Sequence, residues 1–268
     1  MDVKRLITTL VGLPLVIIIL VKGNNYVVDC AIAVVSAISL HEYFNSIKGK
    51  FKPIIWMGYL ASAMIATIHI IPYQYSLKMV SMIIPTIISI LFIKVIISNT
   101  KTNVNDIAMT LFGICYIALS ILFIPVIHGI ENGKILVGYV LICAWGCDIF
   151  AYITGKTIGK HKFCEISPNK TIEGSIGGVT GAVLLATIYT YIINQNFGLG
   201  YNYAYIIIIS IILSLIGQIG DLAASSIKRY VGIKDFSNLI PGHGGMIDRI
   251  DSVIFIAPFA YILFSILF

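Results

Sequence analysis

The sequence predicts an all-α protein, a polytopic integral membrane bundle of about nine transmembrane helices with a cytoplasmic N-terminus. Three observations predict it. Only 11% of the 268 residues are charged and 58% are hydrophobic, whereas a globular domain carries roughly 25% charged residues. Apolar runs long enough to cross a hydrocarbon core of about 30 Å recur down the chain, and they are continuous rather than alternating, which favours helices over a closed barrel. Fifteen of the eighteen Lys and Arg residues fall on alternate connections, and this Lys/Arg asymmetry orients a helical membrane protein.

The spans follow in order. Residues 6–21 come after Lys4-Arg5 and have the outline of a secretory leader. Lys22, Tyr26 and Asp29 stand where a cleavage site needs small residues, so an uncleaved first span is expected. The second, 26–44, ends at His41-Glu42-Tyr43, read as a membrane-interface anchor. The third and fourth cover 54–71 and 79–97, the latter with Pro85 as a kink site. The fifth covers 107–127. The sixth, 135–153, contains Asp148; a carboxylate in an apolar span costs roughly 2.5–3.5 kcal/mol, so this one is expected to be functional or paired. The seventh, 175–193, carries Gly177, Gly178 and Gly181 as a close-packing face. The eighth and ninth cover 203–220 and 253–268.

With the N-terminus inside, the outer connections hold only Lys22, Lys78 and Lys134. The chain then divides into an N-terminal region of about five spans, 1–130, and a C-terminal region, 131–268, with cytoplasmic loops 154–174 and 221–252. Four of the five cysteines lie in apolar runs, and Cys143 and Cys147, four apart, lack the paired spacing of a structural zinc site and read as core residues.

Three stretches carry chemistry. If the eighth span stays helical past Asp221, then Asp221, Ser225 and Lys228 share one face, with Arg229 at its shoulder. The acid suits a hard cation and the bases suit phosphate, although basic residues snorkelling to headgroups would leave the same pattern. The run "IPGHGGMIDRIDS" turns at Pro241, Gly242, Gly244 and Gly245, offering backbone that a phosphate can approach closely. Asp248, Asp251 and Ser252 follow on one helical face, beside Arg249 and His243; capping of the helix start accounts for one of these acids but not for both. In the third stretch, Asp148 precedes Ser167, Lys170, Thr171 and Glu173, a set suited to substrate or to anionic lipid. Acids, bases and glycine turns at a membrane surface point to phosphoryl or nucleotidyl transfer, with helices bearing Asp221 and Asp248 holding one or two divalent ions. A transporter would place its charge near mid-membrane; here the charge crowds one inner face, Asp148 being the deepest.

The run from Ser226 to Asp251, "SIKRYVGIKDFSNLIPGHGGMIDRID", resembles the signature of the phosphatidate cytidylyltransferase (CDP-diacylglycerol synthase) family, and "DIFAYITGKTIGK" and "SPNKTIEG" resemble that family's inner loop. The resemblance covers the C-terminal half; the first 130 residues match only as apolar spans. It implies the reaction of CTP with phosphatidic acid to give CDP-diacylglycerol and pyrophosphate, with Mg2+ required. It implies Asp221 and Asp248 as metal ligands and places Ser226, Lys228, Arg229, Lys234, His243 and Arg249 at substrate-facing positions; Asp251 is a further metal-ligand candidate, or a residue that orients Arg249 or Lys234. Asp148, Ser167, Lys170, Thr171, Gly244 and Gly245 are expected near the substrates. A lipid-phosphate rival, such as a polyprenol-directed enzyme, would need the same machinery. The expected partners are CTP, phosphatidic acid and membrane lipids, with no nucleic acid and with a second copy of the chain as a candidate. The expected place is the cell membrane, with the site on the cytoplasmic face.

Overall fold

The computed structural model describes residues 3–70, 73–97, 102–240, 242 and 244–267. Among these residues eleven α-helices follow in order: α1 (Val3–Lys22), α2 (Asn25–Ile47), α3 (Ile55–Ile65), α4 (Tyr73–Ile97), α5 (Val104–Gly113), α6 (Phe123–Gly129), α7 (Gly133–Leu141), α8 (Cys147–Ile158), α9 (Ile172–Phe197), α10 (Tyr203–Val231) and α11 (Ile247–Leu267). Two π-helical segments, Ile114–Leu119 and Ile142–Gly146, follow α5 and join α7 to α8. Among the described residues there is no strand, only isolated bridges at Lys162–Thr171 and Ile240–Gly244.

The protein is therefore an all-helical polytopic membrane protein. Among the described residues, six stretches are long and apolar enough to cross a bilayer: 25–47, 104–129, 133–158, 172–197, 203–231 and 247–266. The third span expected at 54–71 is, among its described residues, α-helical only over the 11 residues of α3. Beyond it the chain tightens into i to i+3 turns, with Ala66, Thr67 and Ile68 donating to Ala63, Met64 and Ile65. Asp29 of α2 accounts for the change: its carboxylate takes both the backbone N–H and the ring Nδ1 of His69, at 3.3 and 2.7 Å, and draws the chain off the helical path.

The chain forms two compact units. The first comprises residues 1–131 and 231–249, the second residues 132–230 and 250–268. In the first unit α2 is the organising helix. Tyr43 and Phe44 are fully buried, and two glycines admit their rings: a Cβ at Gly58 or Gly113 would lie 2.5 Å from Phe44 or Tyr43. Ser36 and Ser62 join α2 to α3 at 2.9 Å. Asn103 and Asp106 form a capping box at the start of α5, and Asp106 also takes the Lys52 amide at 2.8 Å, fixing the connection between α2 and α3.

In the second unit α8 and α9 meet through the glycine face expected on the seventh span. A Cβ at Gly177, Gly178 or Gly181 would strike Thr154, the Cys147 carbonyl or Phe150, each within 2.8 Å. α10 and α11 close on each other at Gly220, where a Cβ would lie 2.7 Å from the Asp251 carbonyl. With 29 residues, α10 is about 43 Å long at 1.5 Å per residue, well beyond a hydrocarbon core of about 30 Å.

Candidate active site

The residues singled out in the sequence fall into two groups, one in each unit.

The group in the second unit sits at the ends of α8, α10 and α11 and in the loop before α9. α10 runs unbroken to Val231, so Asp221, Ser225 and Lys228 do share one face. Ser225 is buried, Asp221 and Lys228 are half-buried, and Ser226 and Arg229 lie on the exposed side. The Lys170 ammonium pairs with the Asp221 carboxylate. Lys170 is itself aimed by its backbone: its N–H bonds the Ser167 carbonyl at 3.0 Å, and its carbonyl accepts from Phe163 at 2.9 Å. Thr171 caps α9, its hydroxyl accepting from Gly174 at 3.0 Å. Arg229 donates through Nε to the Ile166 carbonyl at 3.5 Å.

Asp251 is 7% exposed and interacts electrostatically with Asp221, Asp148 and Lys228. Ser252, next along α11, donates to Asp148 at 3.5 Å. Three carboxylates and two ammonium groups are thus gathered at the ends of apolar helices. Carboxylate oxygens are the donors that a hard divalent cation takes, so this set fits Mg2+ in kind. Among the described residues, no three His, Cys, Asp or Glu side chains are drawn together into a coordination shell.

The group in the first unit is the turn that leads into α11. Gly242 and Gly244 have φ of 79° and 82°, the left-handed region that favours glycine. Pro241 and His243 lie outside the described residues. Asp248 is buried, and its Oδ2 accepts from the Phe236 and Gly245 amides at 3.0 and 2.9 Å. One oxygen of this acid therefore holds the turn closed, whereas the amides at the start of α11 are taken by a different acid. Lys234 and Arg249 are exposed at either end of the turn.

The sequence reading missed one residue here. Glu42 of α2, taken as an interface anchor, is 4% exposed. Its Oε1 accepts from the Ser237 hydroxyl at 2.5 Å and the Met246 amide at 2.9 Å, and its Oε2 accepts from the Ile247 amide at 3.0 Å. The available signal was the one applied to Asp148, an acid in an apolar helix that demands a partner.

A model of the cytidylyltransferase family matches residues 3–267 of the chain. The chain is similar to the phosphatidate cytidylyltransferase of Bacillus subtilis (strain 168), 31% identical over 273 residues that cover 99% of this chain and 98% of that protein. It is similar also to the proteins of the same name from Staphylococcus aureus (strain COL), 31% identical, and Staphylococcus haemolyticus (strain JCSC1435), 30% identical, each alignment covering 97% of both chains.

Proposed function

The chain belongs to the cytidylyltransferase family, and from that premise we propose that it joins CTP to phosphatidic acid in the membrane, yielding CDP-diacylglycerol and pyrophosphate. The single observation that carries the reading is the gathering of Asp148, Lys170, Asp221, Lys228 and Asp251 at the ends of apolar helices. Such a set has the charges that a metal–nucleotide substrate and a lipid phosphate need.

The phosphatidate oxygen is an anionic nucleophile already, so the chain need not supply a strong base. Positioning and charge complementarity do the work. Lys228, Arg229, Lys234 and Arg249 are proposed to bind phosphate oxygens and to oppose the charge that develops on the departing pyrophosphate. Lys170, held by its own loop and by Asp221, orients a phosphate near that acid. Asp148, Ser167 and Ser226 are proposed as further substrate contacts, together with His243. Thr171 contributes by capping α9 and so fixing Lys170. Asp221 and Asp251 are the proposed Mg2+ ligands of the second unit, and Asp248 is kept as a candidate ligand on the family signature alone; Mg2+ when bound would supply charge stabilisation to the triphosphate. Gly244 and Gly245 allow the turn that sets Asp248. We assign nine spans, a cytoplasmic N-terminus and a cytoplasmic site in the cell membrane, on the Lys/Arg asymmetry.

The test is pyrophosphate release by purified protein in detergent, with phosphatidic acid and each nucleoside triphosphate in turn, with and without Mg2+. Release that requires CTP, phosphatidic acid and Mg2+ together is expected. Release with a polyprenol phosphate instead would move the acceptor, and no release with any acceptor from folded protein would end the reading.

A further inference from the structure

The glycine turn before α11 is held by a residue that lies about two hundred positions away. The first amides of a helix have no intrahelical partner and attract negative charge. At α11 those amides already have an anion: the Glu42 carboxylate takes the Met246 N–H on one oxygen and the Ile247 N–H on the other, at 2.9 and 3.0 Å. The same Oε1 accepts from the Ser237 hydroxyl, which in turn accepts from the Leu239 amide at 3.1 Å. Glu42 is therefore bonded to both limbs of the turn.

Gly245 shows how tightly the carboxylate is seated. A Cβ there would lie 2.7 Å from Glu42 Oε2 and within 3.0 Å of the other two carboxyl atoms. Held by three donors, the carboxylate has nowhere to retreat. Gly245 has no left-handed φ, so the need for glycine comes from the approach of Glu42. From the other side, Asp248 Oδ2 takes the amides of Phe236 and Gly245. Two carboxylates thus grip neighbouring amides, Glu42 those of 246 and 247 and Asp248 those of 236 and 245.

We infer that Glu42 is a positioning residue for the transferase reaction: by occupying the first amides of α11 it sets the turn through residues 236–247, and through that turn the placement of Asp248 and Arg249. This assignment rests on the proposed function, and it gives the N-terminal helices a part in catalysis through α2, which carries the charge that shapes the turn.

Glu42→Gln tests it. The variant keeps length and shape, but an NH2 group then faces one of the two backbone donors. Partners that orient a charged first shell are typically worth about 10- to 100-fold in activity or metal affinity. We expect kcat to fall in that range, with KM for CTP and for phosphatidic acid moving less than kcat. Amide hydrogen exchange at residues 236–247 should quicken, with the remaining peptides and the melting temperature in detergent near those of the parent. Gly245→Ala should produce the same pair of changes, and little further loss when combined with Glu42→Ala, which removes the atoms that Cβ would strike. Unchanged turnover and unchanged exchange in Glu42→Gln overturn the inference, as does a loss in kcat with no change in exchange at 236–247. If the Gln variant is lost from the membrane fraction, Gly245→Ala decides on the same two readouts. Turnover by the parent in the same assay tests the functional reading separately, because exchange reports the clamp whether or not the chemistry is as proposed.

Discussion

Two loops that flank apolar helices are held in opposite ways. The loop from Gly159 to Thr171 in the second unit is tied by its near neighbours. Glu173 takes the amides of Lys160 and His161 at 3.1 and 3.2 Å and the His161 ring at 2.6 Å, all across 12 or 13 positions. Phe163 and Lys170 pair through their backbones. The turn from Gly232 to Met246 in the first unit relies on a partner outside itself, Glu42, 195 to 205 positions away. A loop built on local bonds can present a charged group such as Lys170 from a base fixed by its own neighbours. A loop bonded to a distant buried carboxylate takes its shape from another helix, and a shift of that helix would be felt at Asp248, which bonds the same turn.

The largest effect that separates the two comes from Asp248→Asn. An amide oxygen can still accept from Phe236 and Gly245, so exchange at those amides should stay slow while turnover falls on the order of 10²- to 10³-fold, the scale of losing one preorganised charge. Near-normal turnover would leave Asp248 as a clamp alone. Next in size is Lys170→Met, which leaves the half-buried Asp221 carboxylate without its ammonium. A loss of about 10- to 100-fold, seen in kcat and KM for CTP with exchange in 159–172 unchanged, would establish that this loop presents a functional group; altered exchange would recast Lys170 as part of the scaffold. Thr171→Ala removes the cap of α9 and should lower stability by about 1 kcal/mol, read as an earlier unfolding midpoint in detergent, while Lys170 keeps its backbone partners. The smallest effect belongs to His161→Ala. The ring is exposed and the two backbone bonds to Glu173 persist, so turnover should change by about twofold or less. A larger loss would mean that the loop depends on this single contact.

What was legible in the sequence follows the same division. Spans of high hydropathy, the run of α10 past Asp221 and the glycine face of α9 depend on residues a few positions apart, and periodicity exposes them. The pairing of Asp29 with His69, which ends the α3 region early, joins residues 40 positions apart, and hydropathy carries no trace of it. The π-helical segment Ile142–Gly146 just before Asp148 is hidden for another reason: its residues are ordinary apolar ones, and only packing decides whether a turn widens. Glu42 was visible as an acid beside an apolar run, but its partners are backbone amides, which every residue has and no motif records. For Asp248 the residue type suggested a metal ligand, whereas the turn-closing bonds of its Oδ2 depend on a chain path that the motif does not describe.

The grip of Glu42 also sets a schedule for biogenesis. α2 enters the bilayer early, with a carboxylate whose partners, Ser237, Met246 and Ile247, have yet to be made. At a synthesis rate of roughly 5–20 residues per second, the wait is about 10–40 s, during which the acid near the end of α2 lacks the donors that hold it in the finished protein. The nascent bundle therefore carries an unfinished acid until the last helix begins to emerge, and a ribosome that stops short of Ser237 leaves behind a protein whose second helix is marked as incomplete.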